Sequence, residues 1–361
     1  MKYYAGLDVA MKETFLCILD ETGKRVFESK APTEPQPIYD ELVKSGVPLE
    51  KVGLETGSLS NYLTKGLQKL GLEAICIDAR KMAAILSVTV NKNDKNDARG
   101  IADAMRCNHY KSVNIREDGN TSLKILIKSR TTLVQTRTTL KNTVRGLLKV
   151  YGIRLGDVSH QKFSEKVREH TTVSDHAKIG IKSLLKSYET THEEIVRVEK
   201  TLHKIAKEDE EIRRLMTTPG VGAIVALSYR ADMGDPARFE DSQNVGAYYG
   251  MTPRQYSSGE TVRQGRISKC GAQDVRYLLT EAAIVLLTRS KAWSPLKAWG
   301  LKIQKKHGFK KAAVAVGRKL SVILHRMLVT GESFKFSKAE LSSALQLESQ
   351  KGGNTNNSKM S

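Results

Sequence analysis

Four carboxylates in the first hundred residues carry the types and spacings that phosphodiester chemistry needs. Asp8 ends the apolar run Tyr3-Tyr4-Ala5-Gly6-Leu7, and Glu55 ends Val52-Gly53-Leu54. Asp94 and Asp97 lie at i and i+3, so one face of a helix can present both. Carboxylates gathered in one pocket resist ionising together. A divalent cation removes that conflict, and Mg²⁺ favours carboxylate and water oxygens. Two such ions about 3.5–4 Å apart can activate an attacking oxygen and stabilise a leaving one. Each acid also has a plainer reading: a turn residue at Asp8, a helix N-cap at Asp94, surface acids at Asp97 and Asp103. Asp78 closes another apolar run and is the rival member. It lacks a partner at helical spacing and is left out.

A second constellation is the serine block Thr252-Pro253-Arg254-Gln255-Tyr256-Ser257-Ser258-Gly259, which reads as a polar loop. Gly259 permits backbone angles closed to other residues, so Ser258 before it can sit on a tight turn. Arg254, Arg263, Arg266 and Lys269 surround it in sequence. A hydroxyl among guanidinium groups suits attack on a phosphodiester, because the cations hold the phosphate oxygens and offset developing charge. No histidine base is near in sequence, so a metal or another domain must assist deprotonation. On the residues alone, Ser-Gly is an ordinary loop. Pro219-Gly220-Val221-Gly222 reads equally as a helix-hairpin-helix turn, with the Gly220 and Gly222 amides near a phosphate, or as a simple helix–helix connection. Trp293 and Trp299 sit among lysines and can stack on bases, although a spacing of six also suits a core. The eight histidines show no ligand spacing.

Positioning these residues requires an α/β domain first. Residues 3–9, 14–20 and 25–30 read as three strands of an antiparallel meander. Pro32, Pro35 and Pro37 interrupt it, and residues 38–45 can be helical. Residues 52–55 and 74–78 are further strands. Leu63, Leu67 and Leu70 mark an amphipathic helix over 59–70, and another helix runs from Asp94 through Met105. The order β-β-β-α-β-α-β-α is that of a ribonuclease-H-like domain, placed at residues 1–110. In such a sheet the first and fourth strands are neighbours, and the last helix packs beside them.

Leu126, Leu133, Leu140 and Leu147 then recur every seven residues along a helix over 121–151, with Leu123, Arg130, Arg137, Val144 and Tyr151 in the intervening seam. Ile195, Val198, Leu202, Ile205 and Ile212 repeat the pattern, which suggests a helical hairpin or an intermolecular coiled coil within 119–214. Residues 215–335 read as mainly α, with helices over 278–287 and 312–328. Residues 345–361 read as a disordered polar tail.

The 361 residues carry 59 Lys and Arg against 39 Asp and Glu, a formal charge of +20. Residues 1–105 are nearly balanced, with 14 basic and 15 acidic side chains, so the surplus lies beyond them. Residues 106–154 hold 11 basic residues against Glu117 and Asp118, and residues 282–331 hold 11 with no acid. Such clusters favour a nucleic-acid partner through counterion release. Hydrophobic residues make up 40%, which excludes a disordered basic tail protein. No apolar run approaches the ~20 residues needed to span a bilayer, so no membrane association is expected. Cys17, Cys76, Cys107 and Cys270 form no CxxC pair, which argues against a zinc site or a disulfide framework. With no apolar leader at the N-terminus, a cytoplasmic location fits, and nucleoid association would follow from DNA binding.

The motifs GLDVAMKE around Asp8, GLETG around Glu55 and NKNDKNDARGIADAMR around Asp94 and Asp97 resemble the DEDD transposases of bacterial insertion sequences. The likeness continues through PGVG at 219–222 and YYGMTPRQYSSGETVRQGRISKCG at 248–271, and so spans most of residues 3–330. It implies a RuvC-like ribonuclease-H-fold domain, a helical coiled-coil region and a mainly α transposase domain. It further implies metal binding by Asp8, Glu55, Asp94 and Asp97, with Mg²⁺ as cofactor. Ser258 is implied to be the nucleophile that joins covalently to DNA. The resemblance also implies a composite site built by two subunits of a homodimer or homotetramer. It implies a structured guide RNA that pairs with donor and target DNA. The basic blocks permit RNA binding without showing it. Three alternatives remain on the residues alone: a resolvase or nuclease using water, an actin-like phosphotransferase, and a non-catalytic nucleic-acid-binding protein. The phosphotransferase needs a second glycine-rich phosphate loop, which the sequence lacks.

Overall fold

The computed structural model describes residues 1–87, 93–170, 174–258 and 261–336. The chain divides into two compact units, Met1–Glu117 and Asp118–Ser361.

The first unit is a mixed α/β layer structure. Its strands are β1 (Tyr3–Val9), β2 (Glu13–Asp20), β3 (Arg25–Pro32), β4 (Leu49–Glu55) and β5 (Ala74–Ile77). Its helices are α1 (Pro35–Val43), α2 (Ser60–Lys69), α3 (Ala79–Leu86) and α4 (Asp94–Arg106). The spatial strand order is β3-β2-β1-β4-β5. β1, β2 and β3 pair antiparallel, whereas β4 runs parallel to β1 and β5 parallel to β4. The element order is the expected one with α3 added between β5 and α4.

Both faces of this sheet are buried, and strand alternation divides the side chains between them. Ala5, Leu7, Leu16, Ile18, Val52 and Leu54 pack with Ile38 and Leu42 of α1 and Leu63 and Leu67 of α2. On the other face Phe15, Cys17 and Leu19 pack against Ala98 and Ala102 of α4. Ile77, Met82, Ile101 and Met105 continue that layer. Each fully buried aliphatic side chain contributes about 1.5–3 kcal/mol, so α4 is held from Ala98 to Met105.

The second unit is predominantly helical. Helix α5 (Asp118–Lys149) and helix α7 (Asp175–Glu208) pack along one another, with the short α6 (Phe163–Arg168) between them in sequence. The heptad seam is therefore used within the chain, as a hairpin. Its arginines have partners on α7: Arg130 donates to Glu199 at 2.8 and 2.6 Å, and the Arg137 guanidinium lies 2.9 Å from His192 Nδ1. The heptad reading fails at its end, where Leu147 is exposed and Val144 and Leu148 are buried with Phe163, Leu185 and Tyr188. The straight helix drifts away from a 3.5-residue repeat, and a local core captures the neighbouring positions.

Beyond the hairpin come α8 (Glu210–Leu215), α9 (Ala223–Met233), a 3₁₀ turn at Pro236–Arg238 and α10 (Asn244–Tyr248). Strands β6 (Pro253–Ser258) and β7 (Thr261–Ile267) form a two-stranded antiparallel ribbon. Helices α11 (Gln273–Thr288), α12 (Pro295–His307) and α13 (Phe309–Thr330) complete the unit. Ile127 of α5 and Leu202 of α7 share one core with Leu227, Leu279, Leu320 and Leu324. The helical hairpin and the later helices thus belong to one packed body. The tail placed at 345–361 lies outside the described residues.

Candidate active site

Asp8 and Glu55 stand at adjoining ends of the two central parallel strands. The β1–β4 register pairs Gly6 with Gly53 and Leu7 with Leu54, so the next residue on each strand is an acid. Both strands carry Gly-Leu-acid in the same phase. The leucine enters the core shared with α1 and α2, and the glycine faces α4. By alternation, Asp8 and Glu55 take the α4 side of the sheet, and both are half-buried.

The glycines set how closely α4 approaches. A Cβ on Gly6 would lie 2.1 Å from the Ala98 carbonyl oxygen and 2.4 Å from the Ala102 nitrogen. A Cβ on Gly53 would lie 2.7 Å from Met105 Cγ. Ala98 and Ala102 meet Gly6, while Met105 meets Gly53 and packs with Tyr4, so α4 runs back along β1. Its first turn lies at the acid end: Lys95 Nζ is 6.0 Å from the Phe15 ring centroid, and Phe15 is the cross-strand partner of Asp8.

Asp94 and Asp97 occupy that first turn, Asp94 exposed and Asp97 half-buried. Negative charge there is favoured by the helix dipole. The N-cap is Asn93, whose side chain accepts from the Asn96 amide at 2.9 Å. The plainer reading of Asp94 as the cap is therefore replaced by its neighbour. Asp103, nine residues after Asp94, binds Arg106 at 2.7 Å on the surface. Asp78 serves elsewhere. It caps α3 by accepting from the Arg80 amide at 2.9 Å, and it pairs with the Arg80 guanidinium at 2.9 Å. The Arg80 hydrogen bond holds its carboxyl below the ordinary range.

The backbone thus carries all four acids to one end of one sheet face. An all-carboxylate donor set suits a hard cation. As the side chains stand, no three His, Cys, Asp or Glu among the described residues are grouped to hold a metal ion.

The serine block departs from the loop reading. Residues Pro253–Ser258 are strand β6, and Ser258 pairs with Thr261 at the end of the ribbon. The two strands place apolar residues only at scattered positions, so alternation leaves no continuous hydrophobic signature. Its base is locked by backbone approach: a Cβ on Gly250 would lie 2.3 Å from the Cys270 nitrogen, and one on Gly271 would lie 2.1 Å from the Tyr248 carbonyl oxygen. Arg276 ties the same two segments, donating to the Tyr249 and Cys270 carbonyls at 3.0 and 2.9 Å. Arg254, Arg263, Arg266 and Lys269 are all exposed, and Lys269 adopts a left-handed φ of 58°. Arg254 reaches the Ser268 carbonyl at 3.3 Å.

Gly220 and Gly222 have different surroundings. Gly220 has a φ of 88°, and a Cβ there would lie 2.2 Å from the Ala282 carbonyl oxygen of α11. Close packing is sufficient to account for it. Gly222 is exposed at the N-cap of α9, with open space about it.

Three residues outside the expected set lie beside the two constellations. Gly6 and Gly53 position the acids, and the repeated Gly-Leu-acid triplet was the signal for them. Tyr256, two positions before Ser258 and opposite Arg263, is 60% exposed. An exposed aromatic between Arg and Ser was its only mark.

Comparison with known proteins bears on both constellations. Residues 5–153 match the sequence profile of the DEDD transposases of IS110, and residues 212–297 match that of the transposase IS116/IS110/IS902 family. The chain is an IS110-family DEDD transposase. The transposase for insertion sequence element IS1111A of Coxiella burnetii is 29% identical over 335 residues, covering 91% of this chain and 90% of that protein. The transposase for insertion sequence element IS1328 of Yersinia enterocolitica is 28% identical over 290 residues, covering 80% and 85%. A probable family 20 transposase of Pseudomonas aeruginosa is 29% identical over 237 residues, covering 64% and 70%. The four acids fall within the first matched region, and the serine ribbon within the second. As a transposase the protein is an enzyme that cleaves and rejoins DNA. No helix among the described residues is long and apolar enough to cross a membrane.

Proposed function

We propose that this transposase exchanges DNA strands with two sets of residues, the acids Asp8, Glu55, Asp94 and Asp97 and the hydroxyl of Ser258. The carrying observation is the β1–β4 register, which sets Asp8 beside Glu55 on the face that the first turn of α4 approaches. The strand order and the helix on that face support a ribonuclease-H-like, RuvC-like reading of the first unit. The four carboxylates would hold Mg²⁺, which supplies charge stabilisation at the reacting phosphate.

The remaining steps belong to the chain itself. Ser258 Oγ attacks the phosphorus, its proton passes to a base, and a deoxyribose hydroxyl leaves. The phosphoserine link conserves the bond energy, so a second deoxyribose hydroxyl can reverse the step and release Ser258. No ATP is required. Arg254 and Arg266 hold phosphate oxygens, with Arg263 on the same ribbon and Lys269 just beyond it. Tyr256 offers a stacking face for a neighbouring base. A structured guide RNA and a dimer or tetramer complete this reading on the strength of the family resemblance. Location in the bacterial cytoplasm, on the nucleoid, follows from the DNA substrate.

A recombination assay on Asp8→Asn and Ser258→Ala tests it. Both variants should lose product while still binding DNA, and trapped protein–DNA adduct should appear with the parent and not with Ser258→Ala. Strand transfer by Ser258→Ala at the parental level would instead assign attack to water.

A further inference from the structure

The second unit contains a groove of about 1540 Å³ between the base of the β6–β7 ribbon and helices α12 and α13. It is larger than the ~300–1,000 Å³ typical of small-molecule sites. Eight Lys and Arg side chains line it against a single carboxylate, Glu332. Helix α13 supplies much of one wall in alternating tiers. Lys311 is followed by Val314 and Ala315, then by Arg318 and Lys319, then by Val322 and Ile323. These positions share one helical face by their three- and four-residue spacing. The apolar tiers remain half-exposed.

Trp299 of α12 also lines the groove, 36% exposed, with the Lys319 ammonium 5.8 Å from its ring centroid. The core role that its spacing from Trp293 allowed is not taken, since Trp293 is 65% exposed. A tryptophan facing a cationic tier beside an exposed apolar strip is a poor surface for water.

We infer that this groove holds a single strand of DNA, with phosphates against the Lys311 and Lys319 tiers and unstacked bases against Trp299 and the Val322–Ile323 strip. Charge complementarity selects a polyanion. The apolar floor selects a single strand, because a duplex turns its phosphates outward and hides the base faces that such a floor can cover. The choice of DNA rests on the recombinase reading above, since strand exchange obliges some strands to leave the duplex. The groove reaches the ribbon through Gln264, Arg266 and Ile267, so a strand lying in it would be led towards the segment that ends at Ser258.

The test uses the full-length protein without added metal and a fluorescent 15-mer of dT, with anisotropy read from 50 to 200 mM salt. Trp299→Ala should weaken dT binding about tenfold, within the range of one lost stacking contact, and leave a 20-base-pair duplex within twofold. Lys311→Ala/Lys319→Ala, at two exposed positions, should reduce the salt slope by about 1.4, from ~0.7 for each phosphate contact to a single strand. Melting curves check that each variant folds. Parental dT affinity and slope in both variants would overturn the inference. So would equal losses of dT and duplex binding in Trp299→Ala. A larger loss for an rU 15-mer than for dT would assign the groove to RNA and overturn it too. Because neither metal nor strand cleavage enters this readout, failure of the groove is distinct from failure of Asp8 or Ser258 in recombination.

Discussion

Substituting Gly6 by alanine probes how the acids are positioned without touching any of them. The added Cβ would meet the Ala98 carbonyl oxygen at 2.1 Å and the Ala102 nitrogen at 2.4 Å. Both are backbone atoms of α4, so no side chain can rotate aside. Reaching an ordinary 3.4 Å contact would require α4 to withdraw by about 1.3 Å, the gap between those distances. Overpacking of this kind costs typically about 1–3 kcal/mol. The smaller conformational entropy of alanine in the unfolded chain returns about 0.4–1 kcal/mol of it. The net destabilisation is about 0–2.6 kcal/mol, at most a fall of several degrees in melting temperature. On the roles proposed for Asp94 and Asp97, which the first turn of α4 carries, the effect on catalysis is larger. Misplacing reacting groups by about 1 Å can cost about 100-fold in rate. Melting curves and a recombination assay on Gly6→Ala should therefore show a modest stability loss beside a near-complete loss of product. Gly57→Ala, with nothing within 4 Å of its Cβ, is the melting control and should melt at or slightly above the parent. A Gly6→Ala protein that melts and recombines like the parent would refute the idea that this contact sets the acids.

Asp78→Asn should separate a structural carboxylate from the four proposed metal ligands. It keeps a capping oxygen for the Arg80 amide but removes the charge paired with the Arg80 guanidinium at α3, at a cost of about 0.2–1 kcal/mol in urea unfolding, and leaves divalent-cation affinity unchanged. Because the Asp78 carboxyl is held low in the folded protein, its contribution is present above the unfolded value near 4 and fades as pH falls through the folded one. The parent should therefore lose more stability than Asp78→Asn between pH 5 and pH 2. His160 titrates in a different window. Burial first, and then Arg137, Lys141 and His192, push its imidazole below the usual value, while Tyr188 Oη lies 3.0 Å from its Nδ1. The neutral ring is favoured in the folded state, so stability present above pH ~6.5 should decline towards pH 5. Hydrogen exchange at the α5–α7 hairpin should speed up over that range, and His160→Gln should remove the dependence.

The first unit was legible because its strands are short, apolar and bounded by turns, and because Asp8 and Glu55 end two of them. What converts those stations into a site was less visible. Gly6 and Gly53 act only once α4 lies across them, and nothing in a strand pattern says which face a helix will cover. Helix α3 was missed because it is brief and follows β5 with only Asp78 as a start signal. The serine ribbon reads as a loop in sequence because its few apolar residues fall at scattered positions, and hydrophobic periodicity is blind to that. The seam arginines looked out of place until Glu199 and His192 appeared opposite them. Leu147 was placed by a seven-residue count that the local core around Phe163 overrides.

The central claim is that Asp8, Glu55, Asp94 and Asp97 together bind a divalent cation. Calorimetric titration of Mn²⁺, a spectroscopically convenient substitute for Mg²⁺, into the parent and into Asp8→Asn, Glu55→Gln, Asp94→Asn and Asp97→Asn tests it most directly. The account predicts saturable binding to the parent and a loss of at least about tenfold in affinity in each single variant, as expected when a charged ligand is removed from an all-oxygen site. Parental Mn²⁺ affinity in Asp8→Asn and Glu55→Gln would contradict it.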